Sequence, residues 1–557
     1  MRRFLRWLLL LLLCALYACY RQDPEPPKPV LQDGVWTGTG EGRSGTILVK
    51  VTIQAQTITD IVVVNQSESS FAQDAINEMI ARALQKQALL DSEVDAVTGA
   101  TLTSNGVIDA VNMALRAAMG QPDGGKTRYK DGSCDVVIIG AGGAGLTAAV
   151  QAASDENLRV IVLEKQAIIG GNTLSSTGGI NAAGTQAQQA LGIQDSPDLF
   201  YEDTMRGGKQ MNIPSLVRSL VDHAAATVSW LSSLGADLSD VGLMGGSSVK
   251  RAHRPKGGTA IGPHLMKVLK EASSRANIEI RTSNKVLDLL SQQGAVTGVL
   301  VENADGSTYK LTAKAVVIAT GGFGANLDMV TSYQPSLAGF ATLNHPGATG
   351  DAFAWLPGVG GSTIQMEYIQ IHPTAEAENH ILITEAVRGN GAILVNHAGE
   401  RFVDEMDTRD VVSAAILAQE KQEAFLVFDD AVRRSLSSIE NYANQHLLTE
   451  GADAAALSAK TGLPGEALGA SLLSASLNTP PYYAIRVKPA IHHTMGGIRV
   501  DADMHVLRSD DSPVPGLFAA GEVTGGVHGA NRLGGNGVAD IVVNGKIAGQ
   551  HAAEYAQ

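Results

Sequence analysis

CDVVIIGAGGAGLTAAVQAASDENLRVIVLEK, residues 134–165, decides the fold. An apolar run enters Gly140-x-Gly142-x-x-Gly145, a small-residue helical stretch follows, and a second apolar run ends at Glu164. Strand, turn, helix and strand in this order make a βαβ unit, with an acid about twenty residues after the last Gly. Gly140 permits the tight turn, Gly142 lets the backbone approach a pyrophosphate, and Gly145 lets helix close on strand. The helix N-terminus then faces the phosphates. Glu164 is expected to accept hydrogen bonds from an adenosine ribose.

Two further stretches extend this unit. AVVIATGG (315–322) is a strand entering a turn at Gly321, and GLFAAGEVTGG (516–526) is a strand ending at Gly521-Glu522. A nucleotide lying along the sheet meets both, with Glu522 on the ribitol. A bare NAD domain needs neither, so non-covalent FAD is the expected cofactor. GGNTLSSTGGIN (170–181) adds a Gly/Ser/Thr loop. In FAD proteins of this layout such a loop carries amides and hydroxyls to the diphosphate and isoalloxazine, here from Asn172, Thr173, Thr177, Gly178 and Gly179.

At 557 residues the chain is too long for one core. Its 61 Gly fall in clusters suited to loops that approach a cofactor. A formal net charge of −14 argues against a nucleic-acid partner. It also requires any anion site to be built locally. The three cysteines, Cys14, Cys19 and Cys134, form no CxxC or CxxCH, so neither a zinc cluster nor covalent haem is expected.

Met1–Ala18 reads as an export leader, with Arg2, Arg3 and Arg6 ahead of a twelve-residue apolar run. That run is short of the ~20 residues of a membrane span. Leu16-Tyr17-Ala18-Cys19 resembles a lipoprotein box, which implies lipidation at Cys19 and an extracytoplasmic, membrane-anchored protein. Residues 1–19 are then a signal peptide and 20–33 a Pro-rich tether. Residues 34–119 alternate β-branched strands and Gly turns, then two helices, the first with Ile76, Met79, Ile80, Ala83 and Leu84 on one face. Within them DAVTGAT (95–101) resembles the attachment motif of FMN-binding domains. That resemblance implies FMN joined by a transferase through a phosphoester to Thr101. Residues 120–132 read as a linker, 133–243 and 364–557 as two parts of the FAD-binding domain, and 244–363 as an inserted capping domain. The expected class is α/β: a Rossmann-like FAD domain, an α+β cap and a small α+β FMN-binding domain.

QIHPTAEAENHILITEAVRGNGAILVNHAGERFVDEMDTRD (370–410) concentrates fixed cations around one carboxylate between short apolar runs. Such a stretch suits gripping a small anion and moving a proton. With IHHTMGG (491–497) and GEVTGGVHGANRLGGNGVAD (521–540) behind the GxGxxG, it resembles the soluble fumarate reductases of the flavocytochrome c class and the flavoprotein subunits of fumarate reductase and succinate dehydrogenase. The resemblance implies a surface-tethered fumarate reductase. It implies His372, Thr384 and Glu385 at one substrate carboxylate and His492 and Arg532 at the other. Hydride comes from FAD N5 and a proton from Arg409, refilled through Glu385 and Arg388. It adds Asn536 and Val538 to the cofactor-binding set.

Electrons are expected to enter through FMN from a membrane donor, quinol- or NADH-linked. Several alternatives stay open: His493 in place of His492, Arg409 as a clamp instead of an acid, and another enoate such as urocanate, acrylate, methacrylate or a cinnamate. A non-catalytic electron carrier is another. His345, His380, His397 and His551 receive no role.

Overall fold

The computed structural model describes residues 30–41, 46–65, 73–89, 101–120 and 128–557. Cys19, the leader, residues 20–29 of the tether and 95–100 of the flavin-attachment motif lie outside the described residues. Thr101 opens the helix Thr101–Ala118, but its side chain is likewise outside them. Among the described residues no helix is long and apolar enough to cross a membrane.

The βαβ unit builds the centre of a six-stranded sheet. Its order is Glu279–Arg281, Val160–Leu163, Val136–Ile139, Ala315–Ile318, Pro513–Ala519 and His505–Leu507; the first five are parallel and the last antiparallel. The three central strands through Ala315–Ile318 are wholly buried, as their unbroken apolar runs require of a sheet covered on both faces. Helix Gly143–Ala152 lies between Val136–Ile139 and Val160–Leu163 in sequence, and the 21-residue helix Asn536–Ala556 packs along it. Glycine allows that packing: a Cβ on Gly549 would stand 2.3 Å from Ala148 O.

A second layer is the sheet Ile369–Glu376, Tyr482–Thr494, Ala424–Asp429 and Ile393–Val395, with Thr449–Gly451 also paired to Tyr482–Thr494. It has its own core around Ile383, Val387, Val412, Leu426 and Ile485. This corrects the division expected from the sequence. The separate layer is formed by about 369–494, not 244–363. Ala315–Ile318 pairs with Val136–Ile139 on one side and Pro513–Ala519 on the other, so it belongs to the FAD sheet. Isolated apolar strands look alike in sequence, and long-range pairing decides which sheet each one joins.

The small first domain is the antiparallel sheet Gly34–Glu41, Thr46–Gln54, Thr57–Asn65, covered by helices Gln73–Lys86 and Thr101–Ala118. Ile76, Met79 and Ala83 enter its core and Ile80 and Leu84 pack against it, the face that helical periodicity indicated.

Candidate active site

The glycines of 140–145 show why the motif has this spacing. Gly140 sits at φ +104°, and a Cβ there would lie 2.4 Å from Ala319 O. On Gly145 it would lie 1.8 Å from Gly140 O. On Gly142 it would meet no protein atom nearer than 3.6 Å, although Gly142 lines a cavity of about 880 Å³. Packing therefore demands the first and third glycines. The second leaves open the place where the backbone meets a pyrophosphate.

Glu164, Asn172, Thr173, Gly321 and Glu522 line the same cavity. Glu164 accepts from Ala141 N at 2.9 Å and Gln166 N at 2.8 Å, and burial raises its pKa. Glu522 accepts from Thr494 N at 3.1 Å and Asn172 Nδ2 at 3.2 Å. Burial raises its pKa as well. These two carboxylate acceptors and the Gly cradle along one cavity fit a dinucleotide. Asn536, expected in the cofactor-binding set, does not line this cavity. It accepts from Asn181 Nδ2 at 2.7 Å and donates to Thr204 Oγ1 at 3.1 Å, which fixes the start of the last helix. Its neighbours Gly535, Gly537 and Val538 line a second cavity instead.

That second cavity, about 1740 Å³, shares Asn172, Thr173, His345, Glu522 and Ile541 with the first. Thr177, Gly178, Gly179, His372, Thr384, Glu385, Arg409, His492, His493 and Arg532 all line it. The sheet registers explain the convergence. Gln370 pairs with His493 and His372 with Ala490, so segments over a hundred residues apart become neighbours. Arg409 opens the helix Arg409–Leu417, and Thr384 caps the short helix Glu385–Gly389. Arg532 comes from the FAD layer. The site is thus a seam between layers.

Arg409 donates from Nε to Glu385 Oε2 at 2.7 Å and from Nη1 to Gln370 Oε1 at 3.1 Å. Its Nη2 has no hydrogen-bond partner among the described residues. Glu385 Oε1 accepts from Gly245 N at 2.5 Å, and Arg388 Nη2 lies 3.7 Å from Oε2. Burial alone would raise the Glu385 pKa, but Arg409 and Arg388 outweigh it and hold the carboxylate below its ordinary value. An ionised Glu385 has no hydrogen to give a substrate carboxylate. Glu385 lines the cavity and holds Arg409 through Oε2. Arg388 lines no part of the cavity. It lies buried behind Glu385 with Nη1 on Glu405 O at 2.5 Å, and burial lowers its pKa.

His372 Nδ1 accepts from Thr374 N at 3.2 Å, so in the neutral ring Nε2 carries the hydrogen. Its ring centroid is 5.1 Å from that of His492. His493 instead faces Glu522, 3.5 Å from Oε1, and His528, 5.4 Å between centroids. Burial, with nearby guanidinium charge, keeps all three imidazoles well below their usual pKa and hence neutral. Arg532 is buried with an unpartnered Nε. Burial and then Arg409 push its pKa down to about 9.

Sequence reasoning missed two contributors. Gln370 fixes Arg409 and donates to Asn531 Oδ1 at 2.9 Å and Arg532 O at 2.8 Å, which ties both arginines together. Period-two alternation with His372 on one strand could have found it. Tyr442, whose OH accepts from Thr384 N at 2.9 Å, lines the cavity with Ser438, Asn441 and Gln445. Nothing local marks that stretch. His345, given no role, lines both cavities.

Residues 135–538 match the family model described as FAD binding domain, and 42–116 match the FMN-binding domain. A fumarate reductase (cytochrome) of Shewanella frigidimarina is 45% identical over 76% of this chain and 77% of its own. An NADH:fumarate oxidoreductase of Klebsiella pneumoniae is 39% identical over 94% of this chain and 59% of its own. The solved open conformation of a flavocytochrome c3 fumarate reductase superposes with TM-score 0.66 at 39% identity, covering 77% of this chain and 79% of that one.

The depressed Arg532 value gives a test. Its cationic form is lost as pH rises through about 9. Affinity of the flavin-loaded protein for a small dicarboxylate such as malonate, read by perturbation of flavin absorbance, should fall across that value. Unchanged affinity from pH 8 to 10 contradicts the assignment of Arg532 as an anion holder.

Proposed function

The chain belongs to the FAD binding domain family, and on that premise we propose that it is an exported fumarate reductase, fed with electrons through FMN. The observation that carries this reading is the seam itself: Arg409, Arg532, His372 and His492 line one cavity that runs into the FAD cavity. A carboxylate-holding set at each end, His372 with Thr384 and Arg532 with His492, suits a dianion. A monocarboxylate substrate would require only one such set. The NADH:fumarate oxidoreductase relative, which aligns over both domains, supports the FMN route.

In this reading His372 Nε2 and Thr384 hold one carboxylate of fumarate, and His492 and Arg532 hold the other. Arg532 makes the two-pronged pairing that a lysine cannot copy. Holding both ends polarises the alkene. Bound FAD, when reduced, supplies a hydride equivalent to one alkene carbon. The other carbon is left a carbanion, strong enough as a base to take a proton from Arg409, and succinate results. Glu385 and Arg388 return a proton to Arg409 from solvent. An arginine can act this way only toward such a base and with a refilling relay. The buried contact of Arg409 with Glu385, and Arg388 behind it, support that order of transfer.

The remaining parts of this reading rest on sequence. The leader and Cys19 support an extracytoplasmic lipid-anchored protein with a membrane electron donor, quinol- or NADH-linked. The DAVTGAT motif supports covalent FMN at Thr101, installed by an FMN transferase.

Oxidation of reduced viologen by the flavin-loaded protein should respond to fumarate far more than to urocanate or acrylate. Arg409→Ala should keep its FAD yet lose at least about a hundredfold in turnover, the usual scale of general acid catalysis. The reverse substrate ranking, or an active Arg409→Ala, contradicts the reading. Separately, Thr101→Ala should leave no fluorescent flavin on the denatured chain; FMN still attached would remove that site.

A further inference from the structure

One wall of the 1740 Å³ cavity comes from the FMN-binding domain: Thr37, Leu48, Lys50, Val62 and Val64. Strand alternation explains why these residues are available. Ile47, Val49, Val51, Ile61 and Val63 point into that domain's own core, so the residues between them face outward. This outward face is covered. Leu48 is only 2% exposed and joins the core of the FAD layer, with Val64 packed against it.

Thr37 Oγ1 lies 3.1 Å from His345 Nε2. His345 Nδ1 accepts from Gly347 N at 3.0 Å, so Nε2 carries the hydrogen and donates to Thr37. Burial holds the His345 pKa down at about 4, and the contact therefore persists at ordinary pH.

Lys50 is the charged member of this wall. It meets no carboxylate at ion-pair distance among the described residues. The same cavity is lined by His380, Ile381 and Leu382, from the turn after Ile369–Glu376, where His380 is exposed at its rim. Lys50 and Lys488 both add to the burial that lowers the His380 pKa, so the Lys50 charge is felt at this rim. A chain of net charge −14 repels a dianion at long range. A free ammonium at the rim counters that repulsion at the place of entry.

We propose that the FMN-binding domain completes the substrate cavity, and that Lys50 on its outward face is the cation that recruits a dianionic enoate. The proposal rests on the fumarate reading above. The electron-donor domain is then also part of the substrate's entrance.

The test uses the full chain loaded with both flavins, as wild type, Lys50→Glu, Lys50→Gln and Lys50→Arg. FAD and FMN contents are measured for each. With fumarate, Lys50→Glu should lower kcat/KM about tenfold at low ionic strength, as expected for electrostatic recruitment, with the loss carried by KM. Salt should shrink the difference. Lys50→Gln should fall between, and Lys50→Arg should track the wild type. Monomethyl fumarate, with one charge fewer, should show about a threefold loss. A wild type that leaves fumarate unreduced removes the reading beneath, and this proposal with it. Fumarate turnover that is equal in wild type and Lys50→Glu removes the role of Lys50 alone. So does a loss that ignores salt and is the same for the monoester.

Discussion

One buried contact organises this protein: the Arg409 guanidinium on the Glu385 carboxylate, 2.7 Å apart and almost out of reach of solvent. Removing two charges from water costs several kcal/mol for each ion, and attraction offsets it only when hydrogen bonds satisfy the rest. Here the Gly245 backbone N–H on Glu385 and the Gln370 side-chain oxygen on Arg409 supply part of that. The loop bearing Gly245 is itself held. Ser248 N donates to Asp203 at 2.8 Å, and the buried Arg251 bridges Asp203 and Asp195. A network far from any ligand thus sets the geometry of one carboxylate.

The pair leaves an imbalance. Arg388, Arg409 and Arg532 are buried around Glu385, and Arg388 and Arg532 retain unpartnered nitrogens. The depressed Arg532 pKa expresses the same strain in protonation terms. A small anion with charge at both ends relieves it. Catalysis is favoured when such relief grows as charge develops on the substrate, since stabilisation aimed at the transition state accelerates and uniform binding does not.

Much of this was legible in the residues because steric need leaves marks. Gly145 is required by a carbonyl 1.8 Å from where its Cβ would stand, and Gly140 by a positive φ. The FAD domain was legible for that kind of reason, and the FMN-binding domain through the resemblance of DAVTGAT (95–101) to an attachment motif. The cationic set was found through the order of its short motifs, and the structure brings those residues into one cavity. The cap boundaries were misplaced because the sheets that Ala315–Ile318 and Ile369–Glu376 join are set by partners distant in sequence. Tyr442 and the wall built by Thr37 and Lys50 left no local mark. Their position comes from packing between layers, which no periodicity records.

The central claim is that Arg532 with His492 and His372 with Thr384 grip the two ends of a substrate against the flavin. A crystal structure of the FAD-loaded protein with malonate or fumarate tests it most directly. The account predicts one carboxylate on Arg532 and His492 and the other at His372 and Thr384, with Arg409 beside the carbon chain. A dicarboxylate bound elsewhere, or Arg409 and Arg532 turned away from the isoalloxazine, would contradict it.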